Sequence, residues 1–227
     1  MFSKARRKSH MSNIGHIATG HSRPGQGVSS NGLEAAIPGR PFTTKGQLSN
    51  IRFHYASFWI DHASSFIYVA FHTSKAASKL IRSKTEFEQW MANYNVSIQN
   101  IRADNGVYAA QAFKESCNKR QQCLTYCAVG AHWQNGIAER FIGTITEQAR
   151  TILLLAMAKW PTIITEEMWP FVLHHTTKFH NVSIRKAFTS TPYRMFPGED
   201  PLTHFKIFAF LAAPQKSCLK TCKMVTR

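Results

Sequence analysis

A chain of 227 residues with 28 Lys and Arg against 12 Asp and Glu has a formal charge of +16, which is typical of a protein that binds a polyanion. The sequence lacks an apolar run of the roughly 18 residues that a membrane span needs, and no signal-peptide-like apolar stretch follows its basic start. We therefore expect an intracellular protein with reduced thiols and one sizeable folded core, and nucleic acid is the partner that its charge favours.

Residues 1–25 contain several basic side chains and no acid. Such a segment has too little apolar surface to fold alone, so we predict a basic, disordered arm. Its positive residues are candidates for DNA contact: Lys4, Arg6, Arg7 and Lys8. We expect the folded domain to span residues 26–200 and a basic tail to cover residues 201–227.

Three β-rich runs follow the arm, and Gly, Pro and Ser separate them. Their enrichment in Phe, Tyr, Ile and Val predicts three strands of an antiparallel meander between residues 28 and 72. The runs are "GQGVSSNGLEAAIPG", "IRFHYASFWID" and "SFIYVAFH".

Helical and extended segments then alternate. The run "TSKAASKLIRSKTEFEQWMANYNV" has apolar residues at helical spacing, with Ser74 as its expected cap. We predict a strand over "VSIQNIRA" and another over "CLTYCAV", with a helix over "AAQAFKESCNKRQQ" between them. Long helices are predicted over about 135–158 and 164–181. This order predicts an α/β domain with a mixed five-stranded sheet flanked by helices.

Two acids stand at positions suited to chemistry. Asp104 ends a predicted strand, and Glu139 lies 35 residues later near the start of the long helix. At 100° per residue Glu139 borders the apolar stripe, so we expect it to face whatever the helix packs on. Two carboxylates at one sheet edge could hold Mg²⁺ or Mn²⁺ for phosphodiester chemistry. The alternatives are a turn-forming Asp104 in "DNG" and a surface pair of Glu139 with Arg140.

The segments around these acids resemble the second and third signatures of a retrotransposon integrase catalytic core, most closely the copia-type elements of the retroviral integrase superfamily. They read "IRADNGVYAAQAFKE" and "AHWQNGIAERFIGTITEQARTILL". The segments "RPGQGVSSNGLEAAIPG" and "FWIDHASSFIYV" resemble the family's first and second strands. The resemblance extends over most of residues 24–210. It implies an RNase H-like fold and a three-carboxylate site, the DDE motif, which cuts and joins DNA with two divalent metal ions.

The resemblance assigns the second carboxylate to Asp104 and the third to Glu139. At the first position the related elements read V-S-V-D, whereas this chain reads V-S-S-N and places Asn31 there. An amide offers a neutral oxygen without a negative charge. We therefore expect a weakened Mg²⁺ or Mn²⁺ site and impaired strand transfer, as in a degenerate fragment of a retrotransposon integrase.

Two alternatives remain open at this point. A nuclease could use Asp61, 43 residues before Asp104, as its first metal ligand, although the matching family residue does not bind metal. The chain could also be a non-catalytic nucleic-acid-binding module that keeps the fold. Glu34 is a poor substitute for Asn31, because three residues further along a strand its side chain points to the opposite face.

The loop entering the long helix and the helix itself carry candidate DNA contacts. The resemblance implies that Gln134 and Asn135 approach the DNA end, and Arg140 and Arg150 are candidates for phosphate contact. An ordinary helix entry and a solvated helix surface are the competing interpretations. The resemblance also implies that the partners are DNA ends and target duplex and that the protein acts in the nucleus. Homo-oligomerisation is left open.

Overall fold

The computed structural model describes residues 23–41, 49–127, 135–184 and 190–196. Residues 1–22 of the predicted basic arm, with Lys4, Arg6, Arg7 and Lys8, lie outside the described residues, as do Gln134 and the predicted C-terminal tail.

The five predicted strands form one mixed sheet in the order β3-β2-β1-β4-β5. Strands β1 (Val28–Gly39), β2 (Phe53–Asp61) and β3 (Ile67–His72) make the expected antiparallel meander. Strands β4 (Asn100–Ala103) and β5 (Cys123–Tyr126) continue the sheet in parallel to β1. The parallel pairing of β1 and β4 ends at Ser30 and Ala103, so the carboxyl end of β4 lies beside an interior residue of β1.

In the part of the chain that the structure describes, four α-helices cover the sheet. They are α1 (Ala77–Ala92), α2 (Gln111–Lys119), α3 (Gly136–Lys159) and α4 (Trp169–Val182). The prediction of a Ser74 cap was wrong, because α1 begins after Ala76 and no side chain caps it. Helix α4 begins later than predicted, since residues 166–168 form a separate 3-10 turn. Among the residues that the structure describes, no helix is both long and apolar enough to cross a bilayer.

Helices α1 and α2 pack on one face of the sheet around Trp59. The Trp59 ring stacks against Phe87 of α1 at 6.2 Å and against Phe113 of α2 at 6.4 Å between ring centroids. All three side chains are fully buried. This face also encloses Lys84, whose Nζ donates to Glu88 Oε1 at 2.6 Å, so the buried charge has a partner.

Helices α3 and α4 pack on the other face. The predicted stripe of α3 is confirmed, because Ile142, Ile145 and Ala149 are buried against Phe58 and Ile60 of β2. Helix α4 also closes the outer edge of the sheet. There the Asn181 amide accepts from the Ile67 N–H at 2.9 Å and donates to the Ile67 carbonyl at 2.8 Å, as a sixth strand would.

Candidate functional site

The sheet topology places Asn31 and Asp104 side by side. In the parallel pair β1–β4, Ser30 and Ala103 are directly opposite each other. Asn31 and Asp104 are the next residues on their two chains, and neighbouring strands lie about 4.8 Å apart. Two positions that are 73 residues apart in the sequence are thus adjacent where the pairing of β1 with β4 ends.

Both positions belong to the face that α3 covers. Asn31 is paired with Phe58, which is buried in the core beneath α3 and α4. Ala103 belongs to the opposite core, under α1 and α2, so the alternation along the chain directs Asp104 to the α3 side. Both residues are half-buried, which leaves them accessible from solvent.

A hydrogen bond joins the start of α3 to the same part of β1. Asn135, the residue before the helix, donates from Nδ2 to the Ser30 carbonyl at 3.3 Å and is only 3% exposed. Glu139 lies four residues later, one helical turn further along and on the same side of α3. Side chains on a helix lean toward its N-terminus, which for Glu139 is the turn that begins at Asn135.

Glu139 is exposed, contrary to the expectation that it faces the packed side of the helix. The packing of the first turns is made by Ala138 and Ile142 instead, both of which contact the core beneath α3. The sheet covers only the apolar stripe of α3, so Glu139, which lies at the border of that stripe, stays in solvent. This exposure keeps the carboxylate available to a ligand.

A chain of buried hydroxyl groups lies beneath Asn31, on the opposite face of β1. Ser30 Oγ donates to the Phe58 carbonyl at 3.0 Å and lies 2.9 Å from the Tyr108 hydroxyl, which is in turn hydrogen-bonded to Tyr55. Burial raises the pKa of both tyrosines, and the negative charge of Asp104 adds to the effect. The two phenols therefore remain neutral. They join β1 and β2 to the segment that follows Asp104.

Gly32 is required by the same network. A Cβ at this position, directly after Asn31, would overlap the hydroxyl group of Tyr55. The sequence analysis identified neither the hydroxyl network nor this glycine. The only signal was a glycine directly after the candidate first ligand, which by itself is typical of many strands.

Neighbouring backbone N–H groups bond to one of the two carboxylate oxygens of Asp104 and to the single side-chain oxygen of Asn31. Asp104 Oδ1 accepts from the Asn105 N–H, and Asn31 Oδ1 accepts from the Gly32 N–H, both at 2.7 Å. Asn105 also donates from Nδ2 to the Cys127 carbonyl at 2.7 Å, which ties the segment after β4 to the end of β5. The turn expected in "DNG" and a ligand role for Asp104 are thus compatible, because Asp104 Oδ2 is left for a second partner.

Asp61 occupies a different environment. It is fully buried and accepts three hydrogen bonds, from the Gly25 N–H at 2.8 Å and from the Ser64 N–H and Oγ at 2.7 Å each. It is paired with Val28, three residues before Asn31 on β1, a separation of roughly 10 Å along the strand. Its carboxylate holds the turn between β2 and β3.

The donor chemistry of Asn31, Asp104 and Glu139 fits a hard divalent cation. Two carboxylates and an amide oxygen are the ligands that Mg²⁺ and Mn²⁺ prefer. Within the described residues, no three His, Cys, Asp or Glu side chains are grouped so that they could hold a metal ion. Asn31 offers this set a neutral amide oxygen in place of a third carboxylate.

The other candidate contacts lie along α3. Arg140 and Arg150 are both exposed, as phosphate contacts would have to be. Asn135 is not: its burial separates it from the surface on which DNA could lie.

The comparisons with known proteins bear on the fold, because the similar structures share little sequence with this chain. No protein-family model and no curated protein matches this sequence. The simian T-cell lymphotropic virus intasome in complex with the PP2A regulatory subunit B56 gamma is similar in structure, with a TM-score of 0.56 and 16% identity over 79% of this chain. That match spans 56% of the viral chain.

A second similar structure is the HTLV-2 integrase catalytic core domain in complex with magnesium, in a trimeric form. Its TM-score is 0.51 with 13% identity, and the match covers 77% of this chain and 97% of that core. The protein therefore has the RNase H-like fold of the retroviral integrase catalytic cores, with a mixed five-stranded sheet flanked by helices. The fold class predicted from the sequence is confirmed.

Proposed function

We propose that this chain is a DNA-binding integrase catalytic core of a copia-type retrotransposon, with a metal site degraded at Asn31. One observation carries the proposal: β1 and β4 place Asn31 and Asp104 side by side, on the face where α3 presents Glu139 one turn after its bond to β1. The proposal has the three positions selected by the sequence motifs act together: Asn31 on β1, Asp104 directly after β4 and Glu139 in the first turns of α3. The integrase-like fold supports the same function.

Asp104 and Glu139 would hold Mg²⁺ or Mn²⁺, and Asn31 would offer its amide oxygen. A bound divalent ion would stabilise the charge that develops on the transferred phosphate and lower the pKa of the attacking hydroxyl. Magnesium is bound in the HTLV-2 core, which has the same fold. Two carboxylates carry only two negative charges, which can neutralise one dication and not two. We therefore infer that strand transfer is weak.

DNA is the proposed partner, both as retroelement ends and as target duplex. The net charge of +16 supplies the attraction, and Arg140 and Arg150 extend it along the exposed side of α3. The arm with Lys4, Arg6, Arg7 and Lys8 would add phosphate contacts, and Gln134 would lie at the entry to the site. We further propose action in the nucleus and assembly into a homo-oligomer, since the HTLV-2 core occurs in a trimeric form.

The second candidate is a non-catalytic nucleic-acid-binding module, and Asn31 is the observation that favours it. A nuclease built on Asp61 is disfavoured, since its three hydrogen bonds and complete burial leave it no access to DNA.

A strand-transfer assay separates these functions. The chain and its Asn31→Asp variant would be incubated with labelled donor ends, target duplex and Mn²⁺. We expect weak or absent joining by the unchanged chain, a gain of at least tenfold in Asn31→Asp, and loss of that gain when Glu139→Gln is added. Joining by neither protein, together with retained DNA binding, would support the non-catalytic module.

A further inference from the structure

Asn135 is buried, although a side chain that approaches the DNA end would have to be exposed. It is 3% exposed although it stands at the entry to α3, directly before the helix begins. Its Nδ2 donates to the Ser30 carbonyl, whereas its Oδ1 has no hydrogen-bond partner in the described part of the chain. A buried acceptor without a partner costs about 1–3 kcal/mol, so the fold tolerates a loss at this side chain.

The bond partner of Asn135 is the backbone of β1 immediately before Asn31. Ser30 is directly opposite Ala103, the residue before Asp104. The amide of Asn135 therefore contacts the strand one residue away from the position where the two candidate ligands are adjacent. The hydroxyl groups of Thr144, Thr146 and Thr151, by contrast, bond to carbonyls of α3 itself and not to the sheet.

A shift of α3 at this contact would also move Glu139. Glu139 is four residues beyond Asn135 and shares its side of the helix, about 6 Å away. Apolar packing by Ala138 and Ile142 resists separation of α3 from the sheet but is less directional than a hydrogen bond. A metal site is sensitive to displacements well below the length of one helical turn, because its ligands must lie within a few tenths of an ångström of their preferred distances.

We propose that Asn135 is a positioning residue: its amide holds the first turn of α3 on β1 so that Glu139 is registered against Asn31 and Asp104. Asn135 then acts through Glu139 and makes no contact with DNA. The anchoring of the helix follows from the contact with Ser30, while its consequence for metal binding rests on the function proposed above.

Hydrogen exchange measured by mass spectrometry tests the anchor without requiring metal. Asn135→Ala and Asn135→Leu remove the amide, and the leucine variant keeps the branched shape and the number of heavy atoms of the side chain in case the alanine variant does not fold. We expect the backbone amides of the first two turns of α3, residues 136–142, to exchange at least tenfold faster in both variants. Exchange in β3 and α4 should not change.

Asn181→Ala is the matched control. Asn181 is 5% exposed and donates from Nδ2 to the Ile67 carbonyl, so it is also a buried helix asparagine bonded to a strand backbone. Its loss should accelerate exchange in β3 and α4 and leave residues 136–142 unchanged.

The second readout is Mn²⁺ affinity, measured by calorimetric titration in the Asn31→Asp background. Asn135→Leu should weaken Mn²⁺ binding at least tenfold, whereas Asn181→Ala should change it by less than twofold even if it lowers the melting temperature more. Unchanged exchange in residues 136–142 would overturn the anchor. Faster exchange with unchanged Mn²⁺ affinity would overturn the positioning role. If Asn31→Asp binds no Mn²⁺ at all, the proposed function and the positioning role both fail, and the exchange data still decide on the anchor.

Discussion

Gly32 is the residue at which the shape of the site is most tightly constrained. A methyl group there would overlap the Tyr55 hydroxyl, which is buried and hydrogen-bonded to Tyr108. We expect Gly32→Ala to lower the free energy of unfolding by about 1–3 kcal/mol, as overpacking usually does. Urea unfolding measures this.

Gly143 provides the matched control, because a Cβ added at this position in α3 meets no atom within 4 Å. Gly143→Ala should stabilise the protein by up to about 1 kcal/mol through helix propensity. Equal effects of the two alanines would contradict this account of Gly32.

His72 gives the fold a pH dependence. Burial lowers the pKa of His72 to about 4, and its Nε2 lies 2.8 Å from Ser57 Oγ. The unfolded chain binds this proton near pH 6.5, so the stability that the neutral ring contributes is present above pH 6.5 and is lost as the pH falls toward 4. Burial also lowers the pKa of His174 to about 4, in the same direction.

Urea unfolding at pH 7 and at pH 5 checks this dependence. We expect the chain to lose stability on acidification, and His72→Gln to lose less than the unchanged chain because its titration is removed. An identical loss in both proteins would show that His72 does not contribute.

At the scale of residues, the sequence predicted what short motifs encode. Asp104, Glu139 and Asn31 could be proposed as site residues because each lies in a short local pattern. The Tyr55–Tyr108–Ser30 network could not be found, since its members come from three segments that only the folded sheet brings together. The burial of Asn135 was equally inaccessible, because an Asn-Gly before a helix is compatible with an exposed loop.

Helix α1 contains two ion pairs of the same spacing in different environments. Lys84 is fully buried and bonded to Glu88, while Arg82 is 75% exposed in its pair with Glu86. Removal of Lys84 leaves the largely buried Glu88 with only the more distant Arg120, at 3.8 Å, as a cationic partner, so we expect Lys84→Ala to cost about 3 kcal/mol. Arg82→Ala should cost less than about 0.5 kcal/mol. Chemical denaturation of both variants measures the difference, and similar losses would refute the role of burial.

At the scale of elements, alternation and helical spacing predicted all five strands and four helices. The errors lie at helix ends. Ser74 has the chemistry of a cap, yet α1 begins after Ala76. Segment 166–168 continues the helical pattern toward α4, yet it forms a 3-10 turn before Trp169. Helix ends depend on local backbone geometry, which apolar spacing does not specify.

The charge of the whole molecule predicts its behaviour with DNA. With a net charge of +16, affinity for duplex DNA should fall steeply as salt rises and should depend little on sequence. Deleting residues 1–22 removes Lys4, Arg6, Arg7 and Lys8, and should reduce the slope of log K against log salt by up to about 3.6. The melting temperature should hardly change. Fluorescence anisotropy over a salt series tests this, and an unchanged slope would remove the arm from the interface.

The whole-molecule claim is that three elements converge on a metal site that lacks its first carboxylate. Mn²⁺-dependent melting tests it most directly, because any ion that binds only the folded state raises the melting temperature. The comparison requires the unchanged chain, Asn31→Asp, Asn31→Asp with Glu139→Gln, and Glu34→Gln as a control on the opposite face of β1.

We predict a small Mn²⁺-dependent rise for the unchanged chain and for Glu34→Gln, a larger rise for Asn31→Asp, and loss of that increase when Glu139→Gln is added. A tenfold gain in Mn²⁺ affinity would add up to about 1.4 kcal/mol of stability at saturating ion. An Asn31→Asp variant whose melting temperature responds to Mn²⁺ no more than that of the unchanged chain would contradict the placement of the first metal ligand at position 31.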